Sequence, residues 1–309
     1  MTDAERCGDT PLVSIATPSY NMGRYIEETI RSVLNQTYPR IEYIVKDGGS
    51  TDGTLEILER YKAKLWCDSS PDNGAADAIN KALRMSSGEI CAWLSADDAY
   101  LPNAIATVVE AFKEDSTIGV VYGEGLWTDA SGSVLGRYPT SPQAVAEFGK
   151  ECRICQPAVF IRRVCMEQVG FLNSQLTSAF DYDLWVRLSS CTTFRHINCE
   201  LATSRMHGGN KTLGQRTTAL MEAMRVQRTH FGYVPFTSVY AYCSWRIEGK
   251  GPFEDHHLRS LLPAALSFPV GLWINRSAPF RYAGNWSRAV NRGLSRFIRI
   301  GRWCRGDGA

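Results

Sequence analysis

The chain has 309 residues, 44% of them hydrophobic and 21% charged, with a formal net charge of +2. That composition is ordinary for a soluble globular protein and excludes a need for disulfides or metals to complete a core, and the length allows one large α/β domain with an appendage or two modest domains. The charge is uneven: residues 276–305 hold eight arginines and no acid, so the tail is locally cationic.

The ten cysteines are scattered, unlike a short secreted disulfide scaffold. The opening MTDAERCGDT is polar, so no signal peptide is expected. These features point to a reducing, cytoplasmic setting. No segment reaches the roughly eighteen apolar residues of a membrane span; Pro263 and Pro269 interrupt the nearest candidate, Leu261 to Ile274.

In chain order, Leu12 to Ala16 is a short apolar run bounded by Pro11 and Pro18, which predicts a buried strand. A helix is expected from Tyr25 to Gln36, then a strand over Glu42–Val45 stopped by Asp47-Gly48-Gly49-Ser50. Ser50 or Thr51 caps the next helix. Leu65 and Trp66 suggest a third strand, Ala75 to Met85 a helix, and Ile90 to Leu94 a fully apolar, central strand. A helix from Pro102 to Phe112 and a strand from Gly119 to Tyr122 follow. Residues 123–215 are less regular, and a helical pattern resumes to Phe231. Strands alternating with helices imply a mainly parallel sheet flanked by helices, with ligands beyond the carboxyl ends of its strands.

Ser95-Ala96-Asp97-Asp98 stands at one such end. Two adjacent carboxylates repel unless a cation relieves them, and a hard divalent ion carrying phosphates would do so; a solvated loop is the bland alternative. Asp47 opens a glycine-rich turn, where it either caps the turn or meets a ligand. Tyr20 follows Pro18-Ser19 and either packs in its loop or stacks on a base. Asp181 precedes Leu184, Trp185 and Leu188 at helical spacing, as a cap or a base over a pocket. His207-Gly208-Gly209-Asn210-Lys211 joins an imidazole, two glycines and an ammonium, a set that suits a metal or a diphosphate. Cys152 and Cys155 have zinc-ligand spacing without a second pair.

In order and spacing these pieces resemble the family 2 glycosyltransferases with the GT-A fold. The resemblance rests on Val13 to Asn21, Ser32 to Pro39, Asp47 to Thr54, Asp77 to Lys81, Gly88 to Ile90 and Leu94 to Pro102. It implies a Rossmann-like GT-A catalytic domain over residues 1–215, with a nucleotide half at about 11–122 and an acceptor half at about 123–215. A helical, arginine-rich region, residues 216–309, would follow.

It also implies roles. Thr17, Pro18 and Tyr20 would cradle the nucleobase, and Asp47 would read it. Asp77 and Asp97 would face the donor, Asp98 and His207 would hold Mn²⁺ or Mg²⁺, and Lys211 would meet the diphosphate. Asp181 would be the general base. Ser95 stands where many relatives carry an Asp, and Phe180 where they carry a Glu.

The implied reaction moves a sugar, with inversion, from a nucleotide-diphosphate sugar to a saccharide or lipid-linked saccharide of bacterial surface polysaccharide type. A sugar nucleotidyltransferase would instead show a glycine- and lysine-rich phosphate loop near the start, and a non-catalytic nucleotide-sugar-binding protein need not keep Asp47, Asp98 and Asp181 together. Trp286 to Trp303 can be drawn as an amphipathic helix with arginines along one side. It suits either an anionic membrane surface, contacted through residues 276–309 at the inner face, or packing on the catalytic domain. Nothing else in the chain supports nucleic-acid binding.

Overall fold

A computed structural model describes residues 10–142, 147–210, 214–249 and 261–303, with the side chains at 248, 261 and 293–303 outside the description. The chain divides into two compact units, one within Met1–Val145 and Arg153–Asn210, the other within Ala146–Cys152 and Lys211–Ala309.

The first unit is a mixed α/β fold built on a nine-stranded sheet of order β3-β2-β1-β4-β8-β6-β9-β5, with β7 paired to β6. Its first half is parallel. β1 (Val13–Ser19), β2 (Ile41–Asp47), β3 (Trp66–Ser69) and β4 (Ile90–Trp93) alternate with α1 (Ile26–Leu34), α2 (Thr54–Tyr61) and α3 (Ala75–Met85). The helices form where apolar residues recur every three or four positions; α1 buries Ile26, Ile30 and Val33, one face of a 3.6-residue repeat. β4 is buried at every position, as a central strand covered on both faces must be.

Beyond β4 the order is less direct. β5 (Ala99–Tyr100) and α4 (Ala104–Glu114) precede the long β6 (Ile118–Thr128) and β7 (Val134–Arg137). β8 (Val159–Arg162) then enters antiparallel between β4 and β6. After α5 (Arg163–Val169) and α6 (Phe180–Leu188), β9 (Thr193–Arg205) runs parallel to β6, and its last residues pair antiparallel with β5. The stretch that looked irregular in sequence thus holds, among the described residues, the end of β6, three further strands and two α-helices. Gly125 lets β6 approach a buried thiol, because a Cβ there would sit 2.2 Å from Cys155 Sγ.

The second unit is helical: α7 (Arg216–Phe231), α8 (Phe236–Glu248), α9 (Leu261–Ile274) and α10 (Pro279–Trp303). Its small core joins Met224, Tyr233, Val234, Val239, Cys243 and Tyr282. Asn275 fastens it, accepting from Val234 N–H at 2.8 Å and donating to the Val234 carbonyl at 3.0 Å. The two prolines do not break α9. Pro263 lies in its first turn, where no intrahelical donor is needed, and Pro269 stands inside the helix. Among the described residues no helix is long and apolar enough to cross a membrane.

Candidate functional site

The carboxyl ends of β1, β2 and β4 carry the polar loops of the first unit. The β1 and β2 loops are laced together. Asn21, at a left-handed φ of 53° that asparagine tolerates, accepts from Thr51 N–H at 2.9 Å and donates its own N–H to Ser50 Oγ at 2.7 Å. Gly23 donates to Asp52 Oδ2 at 2.9 Å. A Cβ at Gly23 would fall 2.8 Å from the Asp52 carbonyl, so this close approach requires glycine.

Asp47 sits at the centre of that lacing. Its buried carboxylate accepts from the Gly49 and Ser50 amides at 3.0 and 2.8 Å, and from the Ser50 and Ser69 hydroxyls at 2.5 and 2.7 Å. Burial alone would push the carboxyl up; the Ser50 and Ser69 hydrogen bonds outweigh it and hold the group below the usual range. In this arrangement Asp47 organises the turn rather than facing outward. Asp47→Asn is expected to cost about 2 kcal/mol at neutral pH, the size of lost hydrogen bonds to a charged group. The folded pKa is depressed, so this contribution is present above the unfolded value of about 3.9 and is lost as pH falls through the folded one. Urea unfolding of both proteins at pH 7 and pH 3 should show the gap narrowing in acid.

Thr17 also turns inward. It is fully buried, with its hydroxyl 3.1 Å from Tyr43 Oη, because strand alternation sends residues 17 and 19 to one face and 18 and 20 to the other. Tyr20 is 61% exposed. It borders Gly48 and Asp72: a Cβ on Gly48 would lie 2.9 Å from Asp72 Oδ2 and 3.3 Å from the Tyr20 ring. Asp77, in the first turn of α3, accepts from Asn73 N–H at 3.0 Å and pairs with Lys81 at 2.9 Å.

The Asp97-Asp98 pair follows β4, and the pairing of β5 with the end of β9 brings Arg205, Met206 and His207 beside it. The two carboxylates part company there. Asp98 is buried and its Oδ1 accepts from the Arg205 backbone N–H at 2.9 Å. Burial, and then the neighbouring Asp97 charge, push its carboxyl well up, while Arg205 pulls it down. Asp97 Oδ2 instead lies 3.0 Å from His207 Nε2, and Gly209 N–H reaches His207 Nδ1 at 3.3 Å. The expectation placed the metal on Asp98 and the donor on Asp97; the geometry turns Asp98 into the protein and Asp97 toward the imidazole.

Arg205, which sequence reasoning passed over, holds this corner. Its buried guanidinium donates from Nε to the Asp97 carbonyl at 3.0 Å and pairs with Glu28 at 2.6 Å. It also stands 5.2 Å from the Tyr25 ring centroid, and that ring lies 4.7 Å from the His207 ring. The only signal in sequence was an Arg two residues before the suspect histidine, at the end of a strand of mixed polarity.

Asp97 and His207 are one carboxylate oxygen and one imidazole nitrogen. Ligands at about 2.1 Å on adjacent corners of an octahedron stand about 3 Å apart, which is the spacing present. Among the described residues no group of three or more His, Cys, Asp or Glu side chains could hold a metal, so the two do not make a closed structural site; an ion held there would have to complete its shell with phosphate and water. Lys211 lies outside the described residues.

Asp181 is the second residue of α6, and its Oδ1 accepts from Tyr182 N–H at 2.7 Å. One turn further on, Trp185 stacks on Trp93 of β4, with ring centroids 5.4 Å apart and planes 15° apart. Residues i and i+4 share a helix face, so the stack sets the face of α6 that carries Asp181 against the strand leading to Asp97. Arg187 locks the other end, donating to the carbonyls of Val169 and Phe171, each at 2.8 Å, and to Asp183 at 2.9 Å.

Residues 14–169 match the family model described as "Glycosyl transferase family 2"; Asp181 and His207 lie beyond that segment. The chondroitin synthase of Escherichia coli is 32% identical over 207 residues, covering 66% of this chain and 30% of that protein. The hyaluronan synthase of Pasteurella multocida is 30% identical over 207 residues, 66% of this chain and 21% of its own. The chain thus spans less than a third of the length of either. S. aureus TarS 1-349 in complex with UDP-GlcNAc superposes with a TM-score of 0.60 at 15% identity, over 96% of this chain and 92% of that one. The mannosyltransferase PcManGT from Pyrobaculum calidifontis, in complex with GDP-Man and Mn2+, gives 0.55 at 19% identity, over 92% and 87%. At these identities the likeness is one of fold.

Proposed function

Because this chain belongs to glycosyl transferase family 2, we propose that it moves a sugar from a nucleoside diphosphate to a saccharide hydroxyl, with inversion and with Mn²⁺ or Mg²⁺. The observation that carries this reading is the 3.0 Å contact of Asp97 with His207 at the carboxyl end of the central strand. Asp97 and His207 would hold the ion. When bound, it would neutralise charge building on the leaving diphosphate. Asp98 and Arg205 act behind them, keeping the Asp97 backbone in place. Tyr20, exposed beside Gly48 and Asp72, offers a face on which a nucleobase can stack, with Pro18 on the same side of β1. Lys211, four residues past His207, is the cation expected at the diphosphate, and Asp77 an acid expected to face the donor.

The transfer is a single displacement. The acceptor oxygen bonds to the anomeric carbon as the bond to the diphosphate oxygen breaks, and Asp181 takes the acceptor's proton. The acceptor we favour is a growing, lipid-linked saccharide. Arg281, Arg288 and Arg292 on α10, a helix without an acid, would draw residues 276–309 to an anionic membrane from the cytoplasmic side. The catalytic domain is taken as residues 1–215 and the attachment region as 216–309.

The test is release of nucleoside diphosphate from a panel of UDP-sugars and GDP-mannose with Mn²⁺. Release that rises when a saccharide acceptor is added supports the transferase. Donor binding without turnover on any acceptor would favour a nucleotide-sugar-binding protein, and formation of nucleotide sugar from sugar phosphate and nucleoside triphosphate would favour a nucleotidyltransferase.

A further inference from the structure

The helical unit contains a groove of about 680 Å³ whose wall includes Met221 of α7 and Val270, Trp273 and Ile274 of α9. Its size falls in the range of about 300–1,000 Å³ typical of sites for small organic ligands. Arg225 and Arg228 also line it. Both are exposed, and among the described residues neither has an ion pair. Met221, Arg225 and Arg228 follow at spacings of four and three on α7, so one helix face presents an apolar floor and two guanidinium groups together.

The surroundings narrow the occupant. Trp273 is 75% exposed and Phe280 90%, an unusual presentation of large aromatics to water and a common one at a membrane interface. α9 and α10 contain no Asp or Glu. A neutral apolar ligand leaves the two arginines unused, and a free phosphate leaves the groove unused. An amphiphile with a phosphate head and an apolar chain uses both.

We infer that the groove binds one anionic phospholipid, with an acyl chain along Val270 and Ile274 and the phosphate against Arg225 and Arg228. This turns the membrane attraction proposed above into a stoichiometric lipid site. It rests on that attachment and not on the transfer chemistry.

The test titrates the full chain with dihexanoylphosphatidylglycerol, dihexanoylphosphatidylcholine and inorganic phosphate below micelle formation, read by tryptophan fluorescence and calorimetry. Saturable one-to-one binding of the glycerol lipid is expected, with the choline lipid about tenfold weaker and phosphate alone silent. Arg225→Ala with Arg228→Ala should erase the preference for the anionic lipid. Val270→Trp should block both lipids, with Met221→Trp as the second blocking variant should the first unfold. Flotation on phosphatidylglycerol vesicles runs alongside. Flotation with no short-chain lipid binding overturns the groove site and leaves the attachment standing, and loss of flotation overturns both. Equal affinity for the two lipids, or a dimer in lipid-free solution that both blocking variants dissociate, overturns the site.

Discussion

Asp181→Asn is expected to lower sugar transfer about 10³-fold, within the range of about 10²–10⁴ for removal of a general base, while leaving donor affinity within about twofold. Asparagine keeps the size of the side chain and can still accept from Tyr182 N–H, so α6 should keep its place through the Trp93–Trp185 stack. What it cannot do is take a proton from the acceptor. Steady-state transfer and donor calorimetry on the same preparation separate the two effects. Donor binding lost with slow turnover retained would show that Asp181 serves the donor instead.

The second large effect is expected at Asp97. Asp97→Ala removes one of two proposed metal-holding groups and should reduce Mn²⁺-dependent donor affinity by about 10²-fold, the order seen when charged partners of a bound group are lost. His207→Ala should act in the same direction. Asp98→Asn should act differently. Its Oδ1 can still accept from Arg205 N–H, and the substitution removes a carboxylate that burial, and then the Asp97 charge, already disfavour. The Asp98 variant is therefore expected to keep most of its Mn²⁺ response. Donor titrations with and without Mn²⁺ on all three variants read the difference; loss of the response at Asp98 alone would restore the assignment first made from sequence.

That exchange shows where sequence stopped being informative. The parallel half was legible because apolar runs such as Ile90 to Leu94 end abruptly at Ser, Asp and Gly, and the acids at those ends were legible for the same reason. The direction of each side chain was not. Asp97 and Asp98 are neighbours, and which one faces inward is decided by Arg205, brought from 107 positions away by the pairing of β5 with β9. Thr17 and Asp47 were picked out as strand-end polar residues, yet alternation along β1 and the serines around Asp47 turn both into the protein. β8 was hidden because Val159 to Arg162 is four residues long and pairs antiparallel with strands on either side. The C-terminal region was expected to be helical, and α10 covers the Trp286 to Trp303 segment drawn as a helix; the bounds of α8 and α9 were not legible, because their prolines stand at a cap, in a first turn and inside a helix, positions that composition does not distinguish.

The proposed chemistry depends on which carboxylate at the end of β4 would meet the metal and nucleotide. Crystals grown with MnCl₂ and UDP or GDP, measured on both sides of the manganese absorption edge, would locate the ion directly. One anomalous peak within ligand distance of Asp97 Oδ2 and His207 Nε2 is the predicted result. A peak on Asp98, or nucleotide bound with no peak at the Asp97–His207 pair, would contradict it.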